Sequence, residues 1–342
     1  MKSITKALLA AAGVAAFASS PANAYEGGYP GWQTKPGVFI GASAGVPPPG
    51  IYMFDQAFTY QSNLTGPGTT TLALGNHNGV QVAVDVQGFL FVPGWTFLGA
   101  TYDAVVVQPF AVASIGNPLG SFPGVANQVA GMHNTYFVPV ELSWKLGTSG
   151  FVVKTGLGIG APDGTIQGPT GLGNVGNPWW TFQPELILSY LKDGWNLSAT
   201  VYEEFNTANT IDSYKTGDIF HADFTATKTI GKWAVGPVAY YVAQVTNDSC
   251  PIGLCTAVNP TGTAGNAQRF HIFALGGLVE YNFGPATLSV WATQELTAKA
   301  SNPAVATGTD ASLITQGATV FATLSYRLWA PDEPTKPVMF HK

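Results

Sequence analysis

The sequence predicts an all-β fold, a transmembrane antiparallel up-and-down β-barrel of about 12 strands with short periplasmic turns and long extracellular loops. Three observations support this prediction: few charged residues, hydrophobic alternation with a period of two, and connections that alternate between short and long. Together they are typical of barrels that cross a bacterial outer membrane, and we therefore expect the protein there.

Composition favours a membrane protein over a soluble one. Charged residues make up 10% of the 342 residues, and the mean hydropathy is +0.17, whereas soluble domains contain roughly 25% charged residues. A barrel tolerates this scarcity because its outer wall faces membrane lipid. The formal net charge is −5, and it becomes −7 if Lys2 and Lys6 are removed with a leader. We expect no nucleic-acid partner, because phosphate binding requires clustered Lys and Arg.

The first residues have the pattern of a secretory signal peptide. Lys2 and Lys6 precede an apolar run over 7–18, and Ala22-Asn23-Ala24 supplies a small-x-small cleavage site. The run is shorter than the roughly 20 residues that a spanning helix requires. The predicted organisation is a signal peptide over 1–24, a Gly/Pro-rich periplasmic leader over 25–49, the outer-membrane barrel over 50–329 and a periplasmic tail over 330–342.

Twelve runs alternate between apolar and other residues, as half-buried strands do. In the run 195–205, for example, Leu197, Ala199 and Val201 occupy every second position, and in another run the valines from Val80 to Val86 do the same. The predicted strands are 50–60, 79–91, 95–107, 135–145, 150–160, 179–191, 195–205, 217–230, 232–246, 269–283, 285–297 and 316–329. Their lengths suit tilted membrane strands of roughly 9–11 residues.

The connections between these runs alternate strictly in length. The short ones are centred on Pro93-Gly94, 147–150, 192–194, Gly231 and Gly284, and the long ones are 61–78, 108–134, 161–178, 206–216, 247–268 and 298–315. The Asp193-Gly194 pair is typical of a tight hairpin turn. Alternation of this kind is expected when short turns face the periplasm and long loops face outside.

Tryptophans at strand ends indicate the edges of the membrane. Trp144, Trp195 and Trp233 lie beside short turns, in phase with the apolar face, where interfacial aromatics are expected. Trp95 and Trp329 lie at the same level, but the alternation turns them inward. Either a bulge shifts the phase at these two positions or they are not interface residues.

Several polar side chains fall on the face opposite the apolar one and are therefore candidates to line the lumen. They are Gln183, Glu185, Glu204, His221, Asp223, Gln244, Glu295 and Arg327. They indicate either a narrow, mostly acidic channel or a filled interior in which Arg327 pairs with carboxylates. Twelve strands lie between the filled barrels of eight and the open ones of sixteen, so strand number leaves both open.

The two cysteines, Cys250 and Cys255, are expected to form a disulfide in a long loop, because an exported chain meets an oxidising compartment. Two free thiols remain the alternative. A metal site is not expected, since no further Cys or paired His supplies the other ligands, and we expect no cofactor.

The connection over 108–134 contains no Lys, Arg, Asp or Glu. An apolar stretch of this size tends to be buried or to bind something. We expect it to fold inward over the barrel mouth as an apolar vestibule for small hydrophobic or aromatic solutes. A rigid plug formed by the same loop is the alternative.

A family resemblance is carried mainly by residues between 174 and 248. These are Asn174-x-Gly176-x-Pro178-Trp179-Trp180, Phe182, Pro184, Asn206-x-x-Asn209, Tyr214-Lys215-Thr216-Gly217-Asp218, His221, Asp223, Gly236, Tyr240, Gln244 and Asp248. In order and spacing they resemble the outer-membrane protein family named for the meta-pathway of phenol degradation. The similarity extends from about Gly50 to Leu328. The resemblance implies an accessory, transport-like role for the barrel.

The favoured function is therefore an outer-membrane channel or transporter that assists uptake of small hydrophobic or aromatic compounds. A structural or adhesive barrel is the alternative, and an outer-membrane lipid hydrolase is weaker still. That hydrolase requires a His-x-Ser pattern, which none of the five histidines shows. Glu203 and Glu204 cannot flank one bond, because neighbours in a strand point to opposite faces. Membrane lipid is the expected partner, and the sequence leaves the oligomeric state open.

Overall fold

The computed structural model describes residues 29–71, 79–116, 128–167, 174–249, 269–303, 308, 310 and 312–331. Its strands are β1 (Gly50–Thr65), β2 (Gly79–Val92), β3 (Thr96–Phe97), β4 (Ala100–Ile115), β5 (Gln128–Met132), β6 (Tyr136–Lys145), β7 (Phe151–Gly160), β8 (Thr181–Lys192), β9 (Trp195–Asn206), β10 (Ile219–Ile230), β11 (Trp233–Gln244), β12 (Arg269–Asn282), β13 (Ala286–Ser301) and β14 (Ile314–Trp329). A single helical turn, α1, covers Gly68–Thr71. No helix in the described ranges has the length and apolar character needed to cross a membrane.

The strands form one closed antiparallel sheet. Apart from the short strands β3 and β5, neighbours in sequence pair throughout, and β1 closes the barrel by pairing with both β2 and β14. The strand β5 continues the line of β6, since both pair with β4, and β3 is a two-residue extension at the start of β4. The barrel therefore has twelve strands, and the predicted fold and all twelve predicted strands are confirmed.

The two ends of the barrel differ as predicted. The connections after β2, β6, β8, β10 and β12 are short, and this end is called the short-turn end; the opposite end is the long-loop end. At the short-turn end Asp193 and Gly194 both have positive φ, 53° and 75°, as the tight hairpin turn requires.

A bulge breaks the predicted alternation in β6. Val138 is buried inside the barrel, whereas Val140, two positions later, is exposed on the outside. The register shifts between Phe137 and Glu141 opposite β7, and an extra residue in one strand reverses the facing of those that follow. Glu141 therefore points inward.

Strands β1 and β2 are mainly apolar inside and polar outside, the reverse of β8 and β9. The valines from Val80 to Val86 face the lumen, whereas Gln81, Asp85 and Gln87 are exposed on the outer surface. The same holds for β1, in which Phe58 is buried and Gln61 is exposed. By contrast, β9 has the opposite orientation, with Leu197 exposed and Thr200 buried.

The described part of the predicted periplasmic leader, residues 29–49, lies inside the barrel, and for these residues the prediction was wrong. They form no strand or α-helix, but they make long-range hydrogen bonds to the inner faces of β8, β9 and β10. The chain enters β1 at Gly50, at the short-turn end. Residues 29–49 are called the inner segment below.

The expectation for 108–134 was also wrong in its described parts. Residues 108–115 belong to β4 and residues 128–132 to β5, so both are barrel wall rather than an infolded loop. Their apolar character has a different cause: Pro109, Ala111 and Val129 face the lumen. The inner segment, rather than the described parts of this connection, occupies the barrel interior.

Candidate functional site

Two buried carboxylates hold the inner segment. Glu204 on β9 accepts hydrogen bonds from the backbone N–H groups of Gln33 and Thr34, at 3.1 and 3.0 Å. Asp223 on β10 accepts from the N–H groups of Gly37 and Phe39, at 3.0 and 3.1 Å. Bonds to an ionised acceptor are the stronger kind, so these four amides make a firm attachment.

Hydroxyl groups continue this attachment toward the short-turn end. The N–H of Gly41 donates to Thr225 Oγ1, and that of Ala44 donates to Ser189 Oγ, both at 2.8 Å. Gly37 has a φ of +87°, and a Cβ there would lie 2.9 Å from the Tyr240 ring. Only glycine fits this position without displacing its neighbour.

The other predicted lumen residues also lie within the barrel. Gln183, Glu185, His221, Gln244 and Glu295 are buried, while Arg327 follows the inward face of β14 but is exposed at the short-turn end. The His221 ring stacks on Tyr202, with centroids 4.4 Å apart. Arg327 forms none of the ion pairs among the described residues, so the predicted pairing with carboxylates is not observed there.

A buried charge cluster near the short-turn end escaped the sequence prediction. Lys154 Nζ on β7 lies 3.1 Å from Asp103 Oδ2 on β4 and 3.4 Å from Glu141 Oε2 on β6. Glu141 was missed because a bulge in β6 breaks the alternation on which facing was judged, whereas Asp103 keeps the phase of the lumen-facing Val105 and Val107. Lys154 occupies an inward position of its strand. This position in the sequence could have predicted a buried acidic partner, because a lone charge within a membrane strand requires one.

An apolar cavity of about 620 Å³ runs beside the inner segment, on the opposite side of the lumen from Glu204 and Asp223. Its wall includes Phe54, Phe58, Val80, Val82, Val84, Val86, Val105, Val107, Ala111, Ile115 and Val138. The lining reaches from Leu64 and Ile115 near the long-loop end to Ser325 near the short-turn end. The lumen is thus divided into a polar half filled by the inner segment and an apolar half.

Four of the motif residues behind the family resemblance, Tyr214, Gly217, Gln244 and Asp248, meet at the long-loop end. Asp248 accepts hydrogen bonds from Tyr214 Oη at 2.6 Å, from the Gly217 N–H at 2.8 Å and from Gln244 Nε2 at 2.7 Å. Burial raises the pKa of Asp248 to about 7, against the opposing effect of these donors. This cluster, the Asp248 staple, joins the loop after β9 to the loop after β11.

His133 joins the inner segment to another long loop. Its Nδ1 lies 2.8 Å from the Val175 carbonyl oxygen and its Nε2 lies 3.3 Å from the Gln33 carbonyl oxygen. The inner segment is therefore fixed near both ends of the lumen.

The tryptophans predicted for the membrane interface lie at the short-turn end. Trp195 and Trp233 are exposed, and Trp144 donates from Nε1 to the Leu98 carbonyl oxygen at 3.0 Å. Trp95 and Trp329 are exposed as well, and the pairing of β1 with β14 shifts register beside Trp329. Their placement in the headgroup layer stays a prediction.

Cys250 and Cys255 lie outside the described residues, so their disulfide stays a prediction, as does the signal peptide. Within the described ranges, no group of three or more His, Cys, Asp or Glu side chains is arranged to hold a metal ion.

The closed twelve-stranded barrel, with short turns at one end and long loops at the other, is that of a bacterial outer-membrane protein. The family model described as "Putative MetA-pathway of phenol degradation" matches residues 61–312, and the chain belongs to this family. No curated protein sequence matches the chain.

Several solved structures are similar to the chain at low sequence identity, and the first of them shares its fold. The COG4313 outer membrane channel from Pseudomonas putida F1 superposes with a TM-score of 0.65 at 9% identity, covering 86% of this chain and 99% of that one. The β domain of the Bordetella autotransporter BrkA gives a TM-score of 0.43 at 15% identity, covering 82% and 100%. A Pseudomonas aeruginosa FadL homologue gives 0.41 at 8% identity, covering 81% and 90%.

Proposed function

We propose that this protein is a channel that assists the passage of small hydrophobic or aromatic compounds across the outer membrane. The apolar cavity carries this proposal, because its largely apolar lining extends between the two ends of the barrel. Membership of a family named for phenol degradation supports it. The barrel it resembles from Pseudomonas putida F1 is itself described as a channel.

The physical basis is the removal of apolar surface from water. A small aromatic solute gains roughly 25 cal/mol for each Å² of apolar surface that it buries, so a valine-lined path draws it from dilute solution. Ions gain nothing from such a wall. We therefore propose transport rather than catalysis, with the inner segment narrowing the lumen and excluding polar solutes.

Uptake of toluene at low concentration by cells that carry a gene deletion tests the proposal. Complementation by the wild-type gene should restore uptake, whereas Val84→Trp, which places an indole in the cavity, should leave it several-fold lower. Ala83→Trp is the matched control, because Ala83 is the adjacent residue on the outer face of β2.

A structural barrel is the second candidate, because the inner segment fills the polar half of the lumen. It predicts equal uptake in wild-type and deletion cells, and that result would end the transport proposal. A Val84→Trp variant that behaves like Ala83→Trp would show that solutes do not pass through this cavity.

A further inference from the structure

Lys35 is the only charged residue of the inner segment, and its side chain reaches the wall beside Asp223, whose cross-strand partner is Tyr240. Its Nζ lies 3.6 Å from Glu295 Oε1, 4.4 Å from the centre of the Tyr60 ring and 5.2 Å from the centre of the Tyr240 ring. A carboxylate and two aromatic faces thus surround one ammonium group. Aromatic rings around a cation are a recurrent means of recognising organic ammonium ions.

The wall holds this arrangement together without help from Lys35. Tyr60 Oη donates to Glu295 Oε2 at 2.8 Å, and Tyr240 Oη donates to Oε1 at 2.6 Å. The N–H of Gly317 donates to Oε2 at 2.7 Å. Strands β1, β11, β13 and β14 therefore form a cage, defined here as Tyr60, Tyr240 and Glu295.

The cage adjoins the apolar cavity. Lys35 and Tyr60 both line that cavity, together with Phe58 and Trp291. The Glu295 side chain is only 1% exposed, so without Lys35 its carboxylate would be a buried charge lacking its cation. A ligand with an ammonium group and an apolar body would satisfy the carboxylate and fill the adjoining space.

We propose that the cage is a binding site for organic ammonium ions with an apolar body, such as aralkylamines. Lys35 occupies the site as a tethered ligand, so free ammonium ions compete with it. Their binding removes one attachment of the inner segment. Loss of this attachment would widen the lumen for solutes. Only this widening rests on the proposed channel function; ammonium binding to the cage does not.

The attachment of Lys35 to the inner segment determines what concentration of a free ammonium ion is needed to displace it from the cage. A group held near its site by a short flexible linker has an effective concentration of about millimolar. The inner segment is also held by Glu204 and Asp223, which keep Lys35 close to the cage. A free ammonium ion should therefore bind the wild-type protein weakly and a protein without the Lys35 side chain much more tightly.

Isothermal titration calorimetry of the full chain in detergent micelles tests the site, with 2-phenylethylammonium chloride as the probe and empty micelles as the blank. We expect Lys35→Ala to bind the probe at least tenfold more tightly than wild type. The neutral isostere 2-phenylethanol should bind at least tenfold more weakly than the probe. Adding Glu295→Gln to Lys35→Ala should abolish probe binding, whereas adding Glu203→Gln, an outward carboxylate, should not.

Tyr240→Leu in the Lys35→Ala background serves as a second cage variant, should Glu295→Gln fail to fold. Three outcomes each overturn the proposal: no probe binding to Lys35→Ala, equal binding of the ammonium ion and the alcohol, or equal affinity in wild type and Lys35→Ala. The channel proposal is tested separately, because toluene uptake without probe binding refutes only the cage, and probe binding without uptake refutes only the channel.

Discussion

Replacing Glu204 by Gln and Asp223 by Asn should release the inner segment from the polar half of the lumen. Each carboxylate accepts two backbone N–H groups, one on each oxygen. An amide side chain keeps one acceptor oxygen and turns an NH₂ group toward the second donor. The double variant therefore loses two of the four charge-assisted hydrogen bonds. At each of the two sites, a side-chain NH₂ group then faces a backbone N–H group, and neither can accept a hydrogen bond.

The size of the effect follows from those two bonds. Hydrogen bonds to charged groups contribute about 1.5–3 kcal/mol each, so the loss is about 3 kcal/mol at the low end. Since each 1.4 kcal/mol changes an equilibrium tenfold, the ratio of attached to released segment should fall by about 100-fold. The remaining contacts, such as that of Lys35 with Glu295, keep part of the population attached.

Single-channel conductance in planar bilayers measures the release, because a lumen without the segment passes more ions. We expect a higher mean conductance and faster amide hydrogen exchange over residues 33–39. Glu203→Gln is the control for the Glu204→Gln half of the double variant, since Glu203 is the adjacent residue of β9, faces outward and undergoes the same Glu-to-Gln change. If Glu203→Gln and the double variant have the same conductance and exchange, the carboxylates do not hold the segment.

Three further predictions concern the loops and the barrel. Burial raises the pKa of Asp248 from 3.8 to about 7, so between these pH values Asp248 is protonated in the folded staple and ionised in the unfolded loop. The stability of the staple should therefore fall as the pH rises from about 4 to 7. Amide exchange over 214–218, corrected for intrinsic rate, should show this slope in wild type and lose it in Asp248→Asn; a slope that survives the substitution would assign it to another group. The mature protein should require detergent for extraction and should migrate faster unboiled than boiled on a denaturing gel, and recovery in the soluble periplasmic fraction would contradict the barrel. Cys250 and Cys255 should resist thiol reagents on intact, unreduced cells, with a stabilisation of roughly 2–3 kcal/mol at most for so short a loop; labelling there would favour free thiols.

The strand order was predictable because two independent patterns agree. The connection lengths alternate along the chain, and period-two runs fall between the connections, so twelve strands follow from local information. The facing of Glu204 and Asp223 was predictable for the same reason. The facing of Glu141 was not, because the bulge in β6, seen as a register shift against both β4 and β7, reverses the facing of the residues that follow it.

The position of the inner segment was beyond sequence reasoning for a different reason. Its anchors are backbone N–H groups, which every residue except proline possesses, so Gln33, Gly37 and Phe39 carry no signature of the carboxylates they meet. A single charge, Lys35, was the one available hint. Its significance depends on Glu295, which lies 260 residues further along the chain.

The inverted wall of β1 and β2 connects the strand pattern to the proposed solutes. Alternation shows which residues share a face, but the neighbouring strands decide which face is inside. On β2 the inward valines adjoin Phe58 of β1 and Val107 of β4, so three strands present a continuous apolar surface to the cavity. In the orientation of β8 and β9, Asp85 and Gln87 would line it instead. Because a one-residue slip exchanges the two faces entirely, the register of β2 against β1 and β4 determines whether the cavity can accept an apolar solute.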